Sequence, residues 1–490
     1  MQVSEDFKRN IRFLARHRQR APAAYSSKVS SPARPQDAQS WLADYTAHHP
    51  EDVLRLPGPV QADGDLTAVA ESLARAGRTP LVHAPGLRGS GADVPVITNV
   101  FASRERIARL LGVALGELHA EFARRVAAAV PPRLVQEGPV LERVRSGQQL
   151  DLGTLPLLTH FASDKGPYIT SGVVVAVDPD TRVGNLSFHR ATPAGRDRLA
   201  LSLHSRGDLW RLLRRYEKRG QPMPVAMVIG GHPLFLLAAA GRVPEQVDER
   251  ALAGGLLGEP LEVVRTPVHG IEVPAHAEFV LEGTIDPLAE AEESPFGEFS
   301  GYSSGRSTRN ELRVQTLLSR ASPMLVSILG GRSADHLTLG RLGREADAVR
   351  ALRERFPQLR AVHWPSSGTH FHAYIAVEQL RQGEARQIAL ALLSWDPYLK
   401  TVVAVDADVD VTSDDAVLWA MAVHVQPARD VFVIDELPGN ALDPSSDPQG
   451  TASRMVIDAT RRQPFEAAPI VVSEQARTRA AALLAEAGRS

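Results

Sequence analysis

The spacing of apolar positions changes twice along the chain and divides it into three parts. Up to about residue 125, short apolar runs alternate with helical spacing. Thr79–His83 reads as a strand and Ser103–Leu118 as a helix, after a polar, helical opening over 1–50 with a Ser/Pro/Arg loop at Ser30–Pro35. From about 135 to 335 the β-branched runs Gly172–Val177, Ala226–Ile229, Glu278–Leu281 and Met324–Leu329 stand between turn residues and predict a mainly β region. One helix interrupts it, Arg206–Arg219, with Leu209, Leu212, Leu213 and Tyr216 on one face and a solvated Arg/Lys-rich face opposite. Beyond about 340 the alternation returns. Glu345–Phe356, Gly383–Ser394, Asp414–Val423 and Ser473–Ala487 are predicted helices; Phe371–Val377 and Thr401–Val405 are predicted strands. The expected fold class is α/β (α+β), with domains over 1–130, 131–335 and 336–490 and a boundary near Ala128–Pro132.

Composition narrows the chemistry. A chain of 490 residues exceeds what one hydrophobic core covers. Lys plus Arg number 55 against 57 Asp plus Glu, so the formal charge of -2 gives no reason to expect nucleic acid or an anionic membrane as partner. Cysteine is absent, which excludes disulfides, thiolate metal sites and Cys nucleophiles; any metal must sit on His, carboxylate or amide groups. The opening residues lack a secretory apolar core, and no window holds about 18 uninterrupted apolar residues, so cytoplasm is the expected location.

Four constellations can carry chemistry. Asn185-Leu-Ser-Phe-His-Arg190, followed by His204, combines amide, hydroxyl, imidazole and guanidinium groups; taken alone it also suits an exposed sheet face. Glu293-Ser-Pro-Phe-Gly-Glu298 carries two carboxylates five apart, which neither a strand nor a helix points the same way. Pro295 and Gly297 favour an irregular loop that can turn both inward, and two such carboxylates need a cation between them, a role open to Arg190. A solvated acidic loop is the plainer alternative. Glu249, in Val-Asp-Glu-Arg, reads by itself as a helix-start carboxylate that partners the helix dipole. Arg454, among Ser and Thr, suits a phosphate or the surface. His370 and His372 would share a strand face but have no nearby carboxylate to complete a metal site, leaving a metal hydrolase as a weaker reading. Gly86–Gly91 lacks the spacing of a phosphate loop, and Asp406–Asp410 reads as the polar end of a strand.

These pieces occur in the order of the UbiD-family decarboxylases, which share Asn-x-x-x-x-Arg, then His, then Glu, then Glu-x-Pro-x-Gly-Glu/Asp. Here the matching residues are Asn185 and Arg190, His204, Glu249, and Glu293 with Glu298; the strings beginning at Pro167, Leu261, Val273, Pro427 and Ser453 also match, so the resemblance covers roughly 135–470. It implies a central split β-barrel that binds prenylated FMN, flanked by N-terminal and C-terminal α/β domains, the last of which helps form homodimers or homohexamers. It further implies that Asn185, His204 and Glu249 hold a divalent ion, typically Mn2+, against the cofactor phosphate. Ser187 and Arg454 fall on cofactor-contacting positions, and Arg190, Glu293 and Glu298 on the catalytic network, with Glu298 as proton donor. The implied reaction is non-oxidative, reversible decarboxylation of an unsaturated or aromatic acid, with a UbiX-type flavin prenyltransferase supplying the cofactor. Within the family the chain is also similar to decarboxylases that tailor polyketides of the tautomycetin type, which act on an α,β-unsaturated acid. Two departures bear on this. Ala240-Gly-Arg-Val lacks the Ser-Met-Pro found before the metal Glu in some members, which puts a K+ site in doubt, and the first 50 residues match the usual opening helix poorly. A catalytically silent flavin-binding protein is the alternative of a different class; its mark would be loss of the Glu-Arg-Glu set, which is intact here.

Overall fold

The computed structural model describes residues 36–88, 94–203, 207–241, 247–293, 295–305, 307–378, 381–447, 450–468 and 470–487. His204, the Ser30–Pro35 loop, part of Gly86–Gly91 and part of the 240–243 stretch lie outside these residues.

The N-terminal part pairs strands Val53–Arg55, Leu81–Ala84 and Val96–Thr98 in that order, and Leu325–Val326 from far along the chain adds the fourth. The helix expected over Ser103–Leu118 is two helices, Arg104–Leu111 and Leu118–Ala127. Gly112 adopts φ 73 and ends the first, a left-handed cap that a glycine takes without strain. Ser103 starts it by accepting the Arg106 N–H at 3.2 Å.

Eight strands form the central sheet. Its main path runs Ala191–Pro193, Arg198–Leu201, Asn310–Ser319, Phe279–Glu290, Met223–Ile229, Gly172–Val177, Gly184–Phe188, with Arg143–Ser146 beside Asn310–Ser319. Two strands close together in sequence, Gly184–Phe188 and Ala191–Pro193, therefore stand at opposite ends of the path, so the sheet must curl into a half-barrel. The Ile169 and Ala191 N–H groups donate to each other's carbonyls at 2.8 and 3.1 Å, and the His189 N–H donates to Gly172 O at 3.0 Å, tying the seam. Both faces of the sheet are covered, which explains the unbroken apolar run at 172–177. Val173 and Val175 enter one core while Val174 and Ala176 enter another. The helix Asp208–Lys218 lays Leu209, Leu212, Leu213 and Tyr216 on the second of these cores.

The helix Ala334–Arg353 starts eleven residues before the expected Glu345 and leads from the central sheet to the C-terminal domain. Its early turns are buried on several sides, so no clean apolar stripe marks them. The C-terminal sheet orders Leu359–His363, His372–Val377, Thr401–Asp406, Thr451–Asp458 and Val431–Pro438. The helix Glu384–Trp395 packs in the core on one side, where Ile375 points, and Asp414–His424 in the core on the other, where Tyr374 and Ala376 point. The last helix, Glu474–Ala487, takes Ser473 as cap, its hydroxyl accepting the Ala476 N–H at 3.3 Å. No helix among the described residues is long and apolar enough to cross a membrane.

Candidate active site

The seam of the half-barrel carries the site. Asn185 and Ser187 alternate with Leu186 and Phe188 along Gly184–Phe188, so the polar pair faces one way while the apolar pair packs into the core. Asn185 Nδ2 donates to Glu249 Oε2 at 2.9 Å, and the Leu186 N–H donates to the same oxygen. Glu249 is the first residue of helix Glu249–Leu257, but the capping is done by Asp248, which accepts the Arg250 N–H at 2.9 Å. Burial pushes the Glu249 carboxyl up to about 8, against the opposing pull of those donors. Its chain neighbour Arg250 is committed to Asp248 and Glu272, and among the described residues no cation pairs with Glu249. Ser187 Oγ lies 3.0 Å from His189 Nε2, and the Ser202 carbonyl accepts from His189 Nδ1 at 3.0 Å. That tautomer leaves Nε2 to accept from the serine hydroxyl.

One step past the seam, Arg190 stands between two carboxylates 103 and 108 positions away. Nε donates to Glu293 Oε1 at 2.5 Å and Nη1 donates to Glu298 Oε1. The Glu293 side chain is 0% exposed and that of Glu298 is 8% exposed, so the guanidinium, not water, compensates both. The guanidinium carbon also sits 4.8 Å above the Phe296 ring. The loop that does this is partly regular. Phe296–Gly297 pairs with Ser303–Ser304, the Glu298 N–H donates to Tyr302 O at 3.0 Å, and the Gly301 N–H to Glu298 O at 2.9 Å. Gly297 is required because a Cβ there would fall 2.4 Å from the Phe161 ring.

Two expected residues are placed elsewhere. Arg454 lies on Thr451–Asp458 and donates to the carbonyls of Leu393, Pro397 and Pro438 at 2.5, 3.2 and 3.4 Å, within the C-terminal domain. His370 precedes the strand that begins at His372, so the two do not share a strand face. His370 is buried with its ring 4.7 Å from that of Phe299 and 6.2 Å from that of His336, while His372 is exposed. Phe299, next to Glu298, completes an aromatic wall with Phe371 and Tyr398 at 5.3 and 6.1 Å. The sequence reading missed that wall, whose members are far apart in the chain. It also missed Tyr168, whose ring packs edge-on against Phe296 at 4.8 Å; the string Pro167-Tyr-Ile-Thr marked the place without assigning it a role.

The chain is similar to known proteins along most of its length. Profiles of the 3-octaprenyl-4-hydroxybenzoate carboxy-lyase N-terminal, Rift-related and C-terminal domains match residues 48–126, 133–333 and 337–459. The chain belongs to the UbiD family. Anhydromevalonate phosphate decarboxylase of Aeropyrum pernix is 34% identical over 377 residues, 76% of this chain and 84% of that one. The UbiD-class enzyme HmfF from Pelotomaculum thermopropionicum, in complex with FMN, superposes with TM-score 0.83 at 32% identity, covering 90% of this chain and 98% of its own. An evolved dimeric form of HmfF in complex with prFMN gives 0.80 at 31% identity, covering 90% and 100%. The apo 3,4-dihydroxybenzoic acid decarboxylase from Enterobacter cloacae gives 0.82 at 26% identity, covering 91% and 99%. This UbiD protein is a decarboxylase with the three-part architecture of its family.

Proposed function

We propose that this UbiD protein releases CO2 from an α,β-unsaturated acid, with prenylated FMN as cofactor and Glu298 as the group that delivers the proton. One observation carries the reading: Arg190 is buried between Glu293 and Glu298 at the seam of the half-barrel.

The residues fit the cofactor. A buried carboxylate without a counter-cation is costly, and Glu249 beside Asn185 is such a group. A Mn2+-like ion on Glu249, the Asn185 amide oxygen and His204 would neutralise it and accept the cofactor phosphate. Ser187, held by His189, borders the same place. Arg454 would contact the phosphate only by leaving the carbonyls of Leu393, Pro397 and Pro438. When bound, the prenylated flavin supplies the electron sink for loss of CO2.

The chain supplies the rest. Arg190 fixes the two carboxylates by charge-assisted hydrogen bonds and keeps Glu293 an acceptor. Glu298 Oε1 is held by Arg190, which leaves Oε2 to carry the proton to the carbon that lost CO2 and to regain one afterwards. Phe371 and Tyr398, with rings inclined at 55 and 61° to that of Phe299, form with it an apolar wall next to Glu298 that would help to exclude water. The same wall favours a second reading, an aromatic or heteroaromatic acid, as in the Enterobacter cloacae neighbour. Leu418, Trp419 and Val423 on helix Asp414–His424 are 54, 57 and 52% exposed at helical spacing, which supports assembly through the C-terminal domain into homodimers or homohexamers. The test is reconstitution with cofactor made by a flavin prenyltransferase, followed by CO2 assay on unsaturated and aromatic acids. Release that depends on the cofactor is expected; turnover of every substrate without flavin would overturn the reading.

A further inference from the structure

A chain of hydrogen bonds runs from Ser187 away from the site, and its direction is fixed at the far end. The Ser202 carbonyl accepts from His189 Nδ1 at 3.0 Å. That carbonyl is held in place: the Leu203 N–H donates to Thr308 Oγ1 at 2.7 Å, and the Thr308 N–H donates to Ser202 Oγ at 3.3 Å. A carbonyl can only accept, so Nδ1 carries a proton. His189 is 8% exposed, and its Nε2 lies 3.0 Å from Ser187 Oγ. On a neutral ring protonated at Nδ1, Nε2 is an acceptor, so the Ser187 hydroxyl is the donor of that bond.

A serine hydroxyl has one proton to give. The other acceptor within its reach is Asn185 Oδ1, at a longer 3.4 Å. Whichever of the two receives it, the proton is spent inside the protein. What Ser187 presents outward is therefore oxygen lone pairs. Ser187 is half-buried, on the strand face it shares with the buried Asn185, so the hydroxyl oxygen borders the place proposed for the cofactor. A phosphate dianion offers acceptor oxygens only and gains nothing from such a group. A hydroxyl or an N–H does gain from it.

We propose that His189 is a positioning residue for the cofactor: it takes the Ser187 proton, so that Ser187 accepts a hydrogen bond from a ribityl hydroxyl or ring N–H of the flavin and makes none to its phosphate. The inference rests on the flavin reading above for the identity of the ligand, whereas the direction of the Ser187–His189 bond is measurable without it.

The experiment uses the full chain and the variants Ser187→Ala, His189→Phe and His189→Gln. FMN and riboflavin, which lacks the phosphate, are each titrated in the presence of Mn2+ and followed by quenching of flavin fluorescence. Ser187→Ala is expected to weaken both flavins by the same factor, about three- to tenfold, the worth of one neutral hydrogen bond. His189→Phe keeps a ring of similar size but removes the acceptor, and is expected to weaken both likewise; adding Ser187→Ala to it then costs little more, because the two side chains act as one unit. His189→Gln, whose amide oxygen can stand in for Nε2, is expected to restore the parent affinity. A loss confined to FMN, or no loss for either flavin, overturns the proposal. If the parent quenches FMN alone, or His189→Phe does not fold, the imidazole 15N signals of His189 decide, assigned by their absence in His189→Gln. A proton on Nδ1 with Nε2 bare sustains the proposal, and a proton on Nε2 overturns it. A parent that binds neither flavin overturns the cofactor reading itself, and the imidazole signals still decide whether Ser187 is the donor to His189.

Discussion

Replacing Arg190 with alanine should reveal how much the buried carboxylates depend on it. The change removes the donor to Glu293 Oε1 at 2.5 Å, the donor to Glu298 Oε1 and the cation over Phe296. Both glutamates then remain in a site that admits almost no water. Removing one partner of a buried pair costs about 3–5 kcal/mol, chiefly because the remaining charge is stranded. For a unit the size of the central domain, about 2–4 °C per kcal/mol translates this into a melting point lowered by about 6–20 °C. The cause is separable from lost packing by adding Glu293→Gln and Glu298→Gln. Neutral amides need no counter-ion, so the triple variant should recover most of the lost melting temperature while remaining inactive. Differential scanning calorimetry of the parent, single and triple variants measures this directly. An Arg190→Ala protein as stable as the parent, or a triple variant no more stable than the single, refutes the charge-balance reasoning.

Other perturbations test separate parts of the account. Gly297→Ala should lower turnover far more than stability, because the Phe161 ring also lines a cavity of about 130 Å³ into which it can shift; Gly305→Ala, whose Cβ meets nothing within 4 Å, should leave kcat unchanged. Glu249→Gln should weaken retention of FMN in the presence of Mn2+, read by quenching of flavin fluorescence, without changing the melting point by more than about 1 kcal/mol equivalent. Asp335, which accepts the Asn99, Phe101 and Leu329 N–H groups, is pushed up to about 6 by burial. Its contribution is fully present below about pH 4 and is lost as pH rises through about 6, so the fall in melting temperature between those values should be shallower in Asp335→Asn.

The period of apolar residues made much of the fold readable, and where it did not, the cause is physical. Gly172–Val177 was recognisable because a strand covered on both faces needs apolar residues at every position. The helix beginning at Ala334 was hidden by its own burial: Asp335, Arg341 and Glu345 are polar yet enclosed, so its first turns read as surface. The break at Gly112 was missed because helical spacing resumes after it. At the site, Arg190, Glu293 and Glu298 were recognisable through the order of their motifs, since two carboxylates in a Pro/Gly loop need a cation from elsewhere. The aromatic wall around Phe299 joins three remote segments, and only the folded chain brings them together.

The most direct test of the central claim is single-turnover CO2 release and product formation by Glu298→Gln loaded with prenylated flavin. The account predicts the parent's cofactor spectrum with turnover reduced by about 10²–10⁴-fold, the worth of a positioned acid. Turnover at the parent rate by that variant would contradict it.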